Sequence, residues 1–205
     1  MYAARFVPLT REGEFLSGPA LVRLSATFTR GEAEKQDVIG LVVRFGASES
    51  LLLPADAQDV LTATFDGFSR TQLERGRDTT NCHDFLDNDY RGIARYLVPG
   101  MGLSRLRFTG LRRPAAGGGK GTRIARLDEA MAARDARFVL ECSQGVDAWL
   151  ALGTLDLERR IDISQKQLAF SPFRAGRGIR PTGFLNGLRR ANYVLSRFMR
   201  GARMR

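Results

Sequence analysis

Arg189, Tyr193 and Arg197 stand four residues apart near the end of the 205-residue chain, and Arg200 follows three residues later. At helical spacing these side chains share one face, each about a turn from the next. A guanidinium on either side of a phenol favours the ionised form and lowers its pKa. Phenolate is the form that binds ferric iron, and tyrosine is one of the side chains that ligate haem iron from the proximal side. The opposite face carries Leu188, Leu195, Phe198 and Met199, so residues 181–200, opened by Pro181, read as an amphipathic helix. The same spacing describes an ordinary solvated, arginine-rich helix face, so the surrounding elements must decide what the tyrosine does.

Those elements are mostly strands. Residues 21–28 (LVRLSATF) alternate and are rich in strand formers. Residues 38–45 (VIGLVVRF) form another strand, interrupted by Gly40; a glycine inside a strand marks a bulge or a body lying close to the backbone. Residues 50–53 and 60–65 add two more. Phe85, Leu86, Tyr90, Ile93, Ala94 and Leu97 recur at helical spacing, so residues 82–97 read as a helix stopped by Pro99-Gly100. The stretch 112–122 (RRPAAGGGKGT) is a flexible surface loop, because it lacks the first glycine of the phosphate-binding spacing. A short helix over 127–134 precedes strands at 137–142 and 149–157. The glycine- and proline-fixed stretch 176–181 (GRGIRP) then leads into the final helix. The order predicts one α+β domain over 1–205, with a closed or strongly curved antiparallel sheet and an N-terminal arm at 1–18. Trp149, Phe170 and Phe173 are expected in the core. The charged stretches 70–78 and 158–160 are expected to be solvated faces.

Three segments add to the tyrosine helix. Val22-Arg23-Leu24-Ser25 is similar to the V-R-F-S segment of the haem catalase family. Residues 37–45, DVIGLVVRF, resemble that family's D-x-x-G-F-A-V-K-F strand, and residues 167–181, QLAFSPFRAGRGIRP, its Q-x-A-F-x-P…P-G-I-x-P stretch. The last helix resembles the family's R-x-x-x-Y-x-x-T-H-x-x-R, matched by Arg189, Tyr193, Ser196 and Arg200, with Arg197 where the family has histidine. The resemblance covers roughly residues 19–200, the middle third poorly. It implies a catalase-type antiparallel β-barrel with surrounding helices and a C-terminal proximal helix. It further implies haem b as cofactor, Tyr193 as the iron ligand and Arg189 holding it as phenolate. Arg23 and Arg200 would pair with haem propionates, Gly40 would lie against the haem, and Arg197 would flank it.

The resemblance departs at the distal side. Only 21 residues precede Val22 and none is histidine; the single histidine, His83, lies in TTNCHDFL, where a cap or surface role is expected. No distal asparagine is identifiable near residues 51–58. Without a distal base to move a proton between peroxide oxygens, efficient dismutation is not expected. A haem-dependent oxidoreductase acting on a peroxide or an organic substrate is therefore the first expectation, with the catalytic base unknown. A degenerate catalase-like subunit working with a partner chain, in a homo- or hetero-oligomer, is the second.

Composition narrows the rest. Charged residues are 26% and hydrophobic residues 43%, with no apolar run long enough to span a bilayer, and residues 1–19 lack the pattern expected of a secretory signal. Cys82 and Cys142 make no disulfide framework, and reduced thiols in a cytoplasmic protein are expected. The net charge of +10 comes with only three lysines. That arginine bias, without any RNP, KH or zinc-finger pattern, argues against specific nucleic-acid binding.

Overall fold

Tyr2, Ala4 and Phe6 point one way along the start of the chain and Ala3, Arg5 and Val7 the other, the two-residue period of a strand. This strand, β1 (Tyr2–Pro8), is followed by a 3₁₀ turn at Arg11–Leu16. Beyond it come β2 (Gly18–Ala26), β3 (Ile39–Phe45), β4 (Gln58–Ala63), α1 (Arg70–Thr79), β5 (Asp89–Gly92), β6 (Tyr96–Val98) and β7 (Gly102–Gly110). The order ends with α2 (Arg123–Ala132), β8 (Arg137–Ser143), β9 (Leu150–Arg160) and β10 (Arg180–Pro181). The structure, a computed structural model, describes residues 1–26, 34–46, 54–65, 70–92, 94–111, 121–145, 148–163 and 168–182.

Every strand pair is antiparallel. Neighbours run β7-β5-β4-β3-β2-β1-β9-β8, and β8 pairs back onto β7, so eight strands close into a barrel. Closure leaves no open sheet edge around the ring. β6 and β10 extend the Gly102 end of β7 as a small side sheet.

Alternation fills the barrel. Ile39, Leu41, Val43 and Phe45 of β3 point inward, as do Phe6, Val60, Tyr90, Phe108, Phe138 and Leu155 from other strands. The Phe6 and Phe45 rings meet edge to face at 5.4 Å, and Tyr90 and Phe138 at 5.7 Å. An eight-strand barrel is just wide enough for its own side chains, so the interior is a packed core. Two glycines serve that packing. A Cβ on Gly110 would stand 1.9 Å from the Leu86 carbonyl oxygen, and one on Gly153 would stand 2.4 Å from the Phe6 ring.

Several sequence expectations change. Within the N-terminal arm expected at 1–18, Tyr2–Pro8 forms β1, which pairs with both β2 and β9 and is integral to the barrel. The helix expected over 82–97 does not form. Asn81, Asp84 and Asn88 hydrogen-bond nearby backbone: Asp84 accepts from the Leu86 N–H, and the Asn88 amide donates to the carbonyls of Asn81 and Asp84. Such side chains compete with helical hydrogen bonds and favour turns. Tyr90 then faces the core from β5, its hydroxyl donating to the Phe85 carbonyl at 2.7 Å. Trp149, Phe170 and Phe173 are half-buried rather than core. Trp149 lies outside the barrel, with the Arg107 guanidinium 4.2 Å from its ring centre. Of the α+β expectation only the antiparallel barrel is seen: the two described α-helices do not surround it. The 112–120 part of the glycine-rich loop lies outside the described residues. Among the described residues no helix is long and apolar enough to cross a membrane.

Gly110→Ala is expected to destabilise the protein by about 1–3 kcal/mol, because the overlap is with rigid backbone. A lowered urea midpoint at unchanged slope would show it; a midpoint equal to the parent's would contradict the packing described.

Candidate outer-wall site on β2, β3 and β4

A filled barrel offers a ligand its outside. β3 shows where: its run IGLVVRF is apolar on both faces except for one arginine, and both faces are largely covered. Register places three rows across the outer face of β2, β3 and β4. Ser25, Gly40 and Ala63 form the first, Arg23, Val42 and Leu61 the second, and Leu21, Arg44 and Asp59 the third. Successive rows are about 7 Å apart along the strands.

The third row is an ion-pair network. Asp59 is fully buried, and Arg44 donates to its two carboxylate oxygens from Nε at 2.7 Å and Nη2 at 3.0 Å. The same carboxylate accepts the Ser171 N–H at 2.8 Å and a hydrogen bond from Arg174. Arg44 Nη2 also donates to the Ala169 carbonyl at 2.7 Å. Next in the chain, the buried Gln58 amide donates to the carbonyls of Arg174 and Ile179 and accepts the Ile179 N–H. Gly176 makes this docking close: a Cβ there would stand 2.3 Å from the Asp56 carbonyl carbon. In the stretch leading toward the predicted proximal helix, Ala169 and Ser171 are thus held onto the outer wall, while Arg174 to Gly176 run along the edge of β4 beside Ala57 to Asp59 and Ile179 joins the barrel core.

Above this network lies Phe170. Arg44 Cζ is 4.5 Å from its ring centre and Arg23 Cζ 5.5 Å. Cations within about 6 Å of an aromatic face are attracted to it. Phe170 also packs against the apolar outer cluster of Ala3, Leu21, Ile161 and Leu168.

The first row is flat and small. Glycine inside a strand costs about 0.5–1 kcal/mol relative to alanine, so a cause is expected. Among the described residues the barrel supplies none. A Cβ on Gly40 would meet Ser25 Oγ at 3.4 Å, the Ser25 carbonyl at 3.7 Å and the Thr62 carbonyl at 3.8 Å, ordinary contacts. Gly40 also lacks the positive φ seen at six other glycines.

The structure therefore brings two sequence-predicted site residues together: Arg23 and Gly40 share the outer face, on paired strands and in neighbouring rows. Arg189, Tyr193, Arg197 and Arg200 lie outside the described residues. Sequence reasoning missed Asp59, Arg174 and Phe170. Its available signal was Arg44, a lone charge in an otherwise apolar strand.

His83 belongs to a different cluster. Its Nδ1 is 2.9 Å from Glu34 Oε2, which also accepts from Arg126 at 3.0 Å, while Glu34 Oε1 accepts the Arg123 N–H at the start of α2. Asn81 accepts the His83 N–H, so the expected capping role survives as a turn cap and not a helix cap. Burial pushes the Glu34 pKa up, but the hydrogen bonds from His83, Arg123 and Arg126 outweigh it and hold the carboxyl below its usual value. Both cysteines are free and buried, and burial pushes the Cys142 thiol up. Among the described residues no three His, Cys, Asp or Glu side chains converge as a metal site.

No family model matches the chain, and no curated protein matches it in sequence.

Two tests follow from these networks. Asp59→Ala leaves Arg44 buried without its partner, so a loss of about 3–5 kcal/mol is expected in urea unfolding, largely recovered when Arg44 is changed to Met as well. Glu34 has a native pKa below its unfolded value, so its stabilisation is present above about pH 4.3 and lost as pH falls through the lower native pKa. Glu34→Gln should remove this acid limb from the pH profile of the urea midpoint; an identical profile would refute the assignment.

Proposed function

We propose that the chain is a haem-binding protein of catalase-like build, with Tyr193 as the iron ligand. In this reading it is a haem-dependent oxidoreductase acting on a peroxide or an organic substrate. The observation that carries the reading is Gly40: a strand glycine that the described packing does not require, in a flat row of small residues, one row from the Arg23 guanidinium. A flat, anionic cofactor explains both features together. Glycine lets a planar ring system lie on the backbone, and arginine pairs with carboxylates better than any other side chain.

The residues present fit the group. Arg23 would take a propionate carboxylate, as would Arg200. Tyr193 would hold the iron, Arg189 would keep its phenol ionised, and Arg197 would add to the same positive field. The network at Asp59 would hold the segment leading to that helix. Bound haem would supply a redox-active ferric centre.

Among the described residues of the wall no base is free: Asp59, the carboxylate in its three rows, is engaged by two arginines. This favours oxidation of an organic substrate, or slow peroxidase-like turnover, over rapid peroxide dismutation, which needs a proton shuttle above the iron. It also leaves room for the second reading, a subunit without activity of its own whose partner chain supplies the base.

An absorption spectrum with and without added hemin tests the proposal. A Soret band that shifts on Tyr193→Phe is expected. Protein that stays colourless after hemin addition would overturn the reading, whereas haem retained only in a hetero-complex would select the second. Gly40→Ala should weaken hemin binding about tenfold while the urea midpoint stays equal or rises, since a Cβ here meets only ordinary contacts. Unchanged hemin affinity would remove the wall from the site.

A further inference from the structure

Two arginines from adjacent strands stand in neighbouring rows of the wall: Arg23 is opposite Val42, and Arg44 is opposite Leu21. As diagonal cross-strand neighbours they are close enough to repel. Their environments differ. Arg44 is spent on Asp59 and the Ala169 carbonyl, and its side chain is 3% exposed. Arg23 is half-buried and lies beside the small-residue row. The ring of Phe170 is shared by both guanidinium groups.

That ring does not float. Phe170 sits between Ala169, whose carbonyl accepts from Arg44, and Ser171, whose N–H donates to Asp59. Its two neighbours in the chain are therefore pinned by the same ion pair that neutralises Arg44. An aromatic face attracts a guanidinium and also limits which way a long, rotamer-rich side chain can turn.

We infer that Phe170 is a positioning residue for Arg23: held by the Asp59–Arg44 pair, its ring fixes the Arg23 guanidinium in the orientation that receives a carboxylate of the ligand lying on the Gly40 row. The inference rests on the haem reading for the identity of that ligand. It goes beyond it in assigning a role to a side chain that need not touch the carboxylate. A ligand carrying the same ring system without free carboxylates should not sense the ring of Phe170 through Arg23.

The test compares hemin with iron protoporphyrin IX dimethyl ester, in which both carboxylates are blocked. Phe170→Leu keeps an apolar side chain against Leu21, Ile161 and Leu168, and Phe170→Tyr keeps the aromatic face. Phe170→Leu is expected to weaken hemin about 3- to 10-fold while changing the diester less than about twofold, with Phe170→Tyr restoring hemin affinity. Equal loss for the two ligands would mean that the ring merely supports the fold, and no loss would mean that it does not orient Arg23. Either result overturns the inference. A second arm needs no ligand. Urea midpoints of Arg23→Gln, Phe170→Leu and the double variant should be non-additive if the ring and the guanidinium are coupled. Should the parent protein bind neither porphyrin, the haem reading falls and the positioning role falls with it, whereas hemin binding with additive midpoints would overturn the positioning role alone.

Discussion

The carboxylate of Asp59 is fully buried, and the outer surface of the barrel is arranged around compensating it. A carboxylate withdrawn from water is strongly destabilising unless it is ion-paired and its lone pairs are satisfied. Arg44 does this within the sheet, and Arg174 and the Ser171 N–H do it from a segment more than a hundred residues away. One buried charge thereby fixes where the chain returns to the wall after the barrel has closed. Gln58 repeats the device with uncharged groups at Ile179. These hydrogen bonds contribute less to net stability than apolar burial does, but they are directional, so they specify register.

Closure of the barrel explains why any site must lie on the outside. Eight strands leave an interior that their own side chains fill, from Phe6 and Phe45 at one contact to Tyr90 and Phe138 at another. The free variable is then the outward set of side chains. Around most of the ring these are charged pairs such as Arg137 with Asp156 and Arg107 with Glu141. On β2, β3 and β4 the outward set instead places Ser25, Gly40, Ala63, Val42 and Leu61 beside Arg23 and the buried Arg44–Asp59 pair. This change in character sets the wall apart from the rest of the ring.

The strands were legible wherever alternation was long and uninterrupted, as at 21–28 and 38–45. They were less legible where turn chemistry and helical spacing coincided. Phe85, Leu86 and Tyr90 fall at helix-compatible positions, yet the side chains of Asn81, Asp84 and Asn88 capture the backbone around them. β7 alternates cleanly, with Ser104, Leu106 and Phe108 inward and Leu103, Arg105 and Arg107 outward. The cue was present, hidden behind the glycine and proline that precede it. Of the candidate site, the types and order of Arg23, Gly40 and Arg44 could be read directly. That Arg23 and Gly40 face outward together could not, because a strand's two faces are equivalent until its partners are known.

The amino-acid sequence by itself determined the strands β2 and β3, the glycine that interrupts one of them, and the four-residue spacing of Arg189, Tyr193 and Arg197, because each is a local pattern with a local period. Only the tertiary structure decided that the first residues join the barrel, that its interior is closed to ligands, and that Asp59 draws Arg44, Arg174 and Phe170 to the wall beside Arg23. The reason is the burial of charge: which distant groups must meet a carboxylate becomes defined only when folding removes the water that would otherwise have met it.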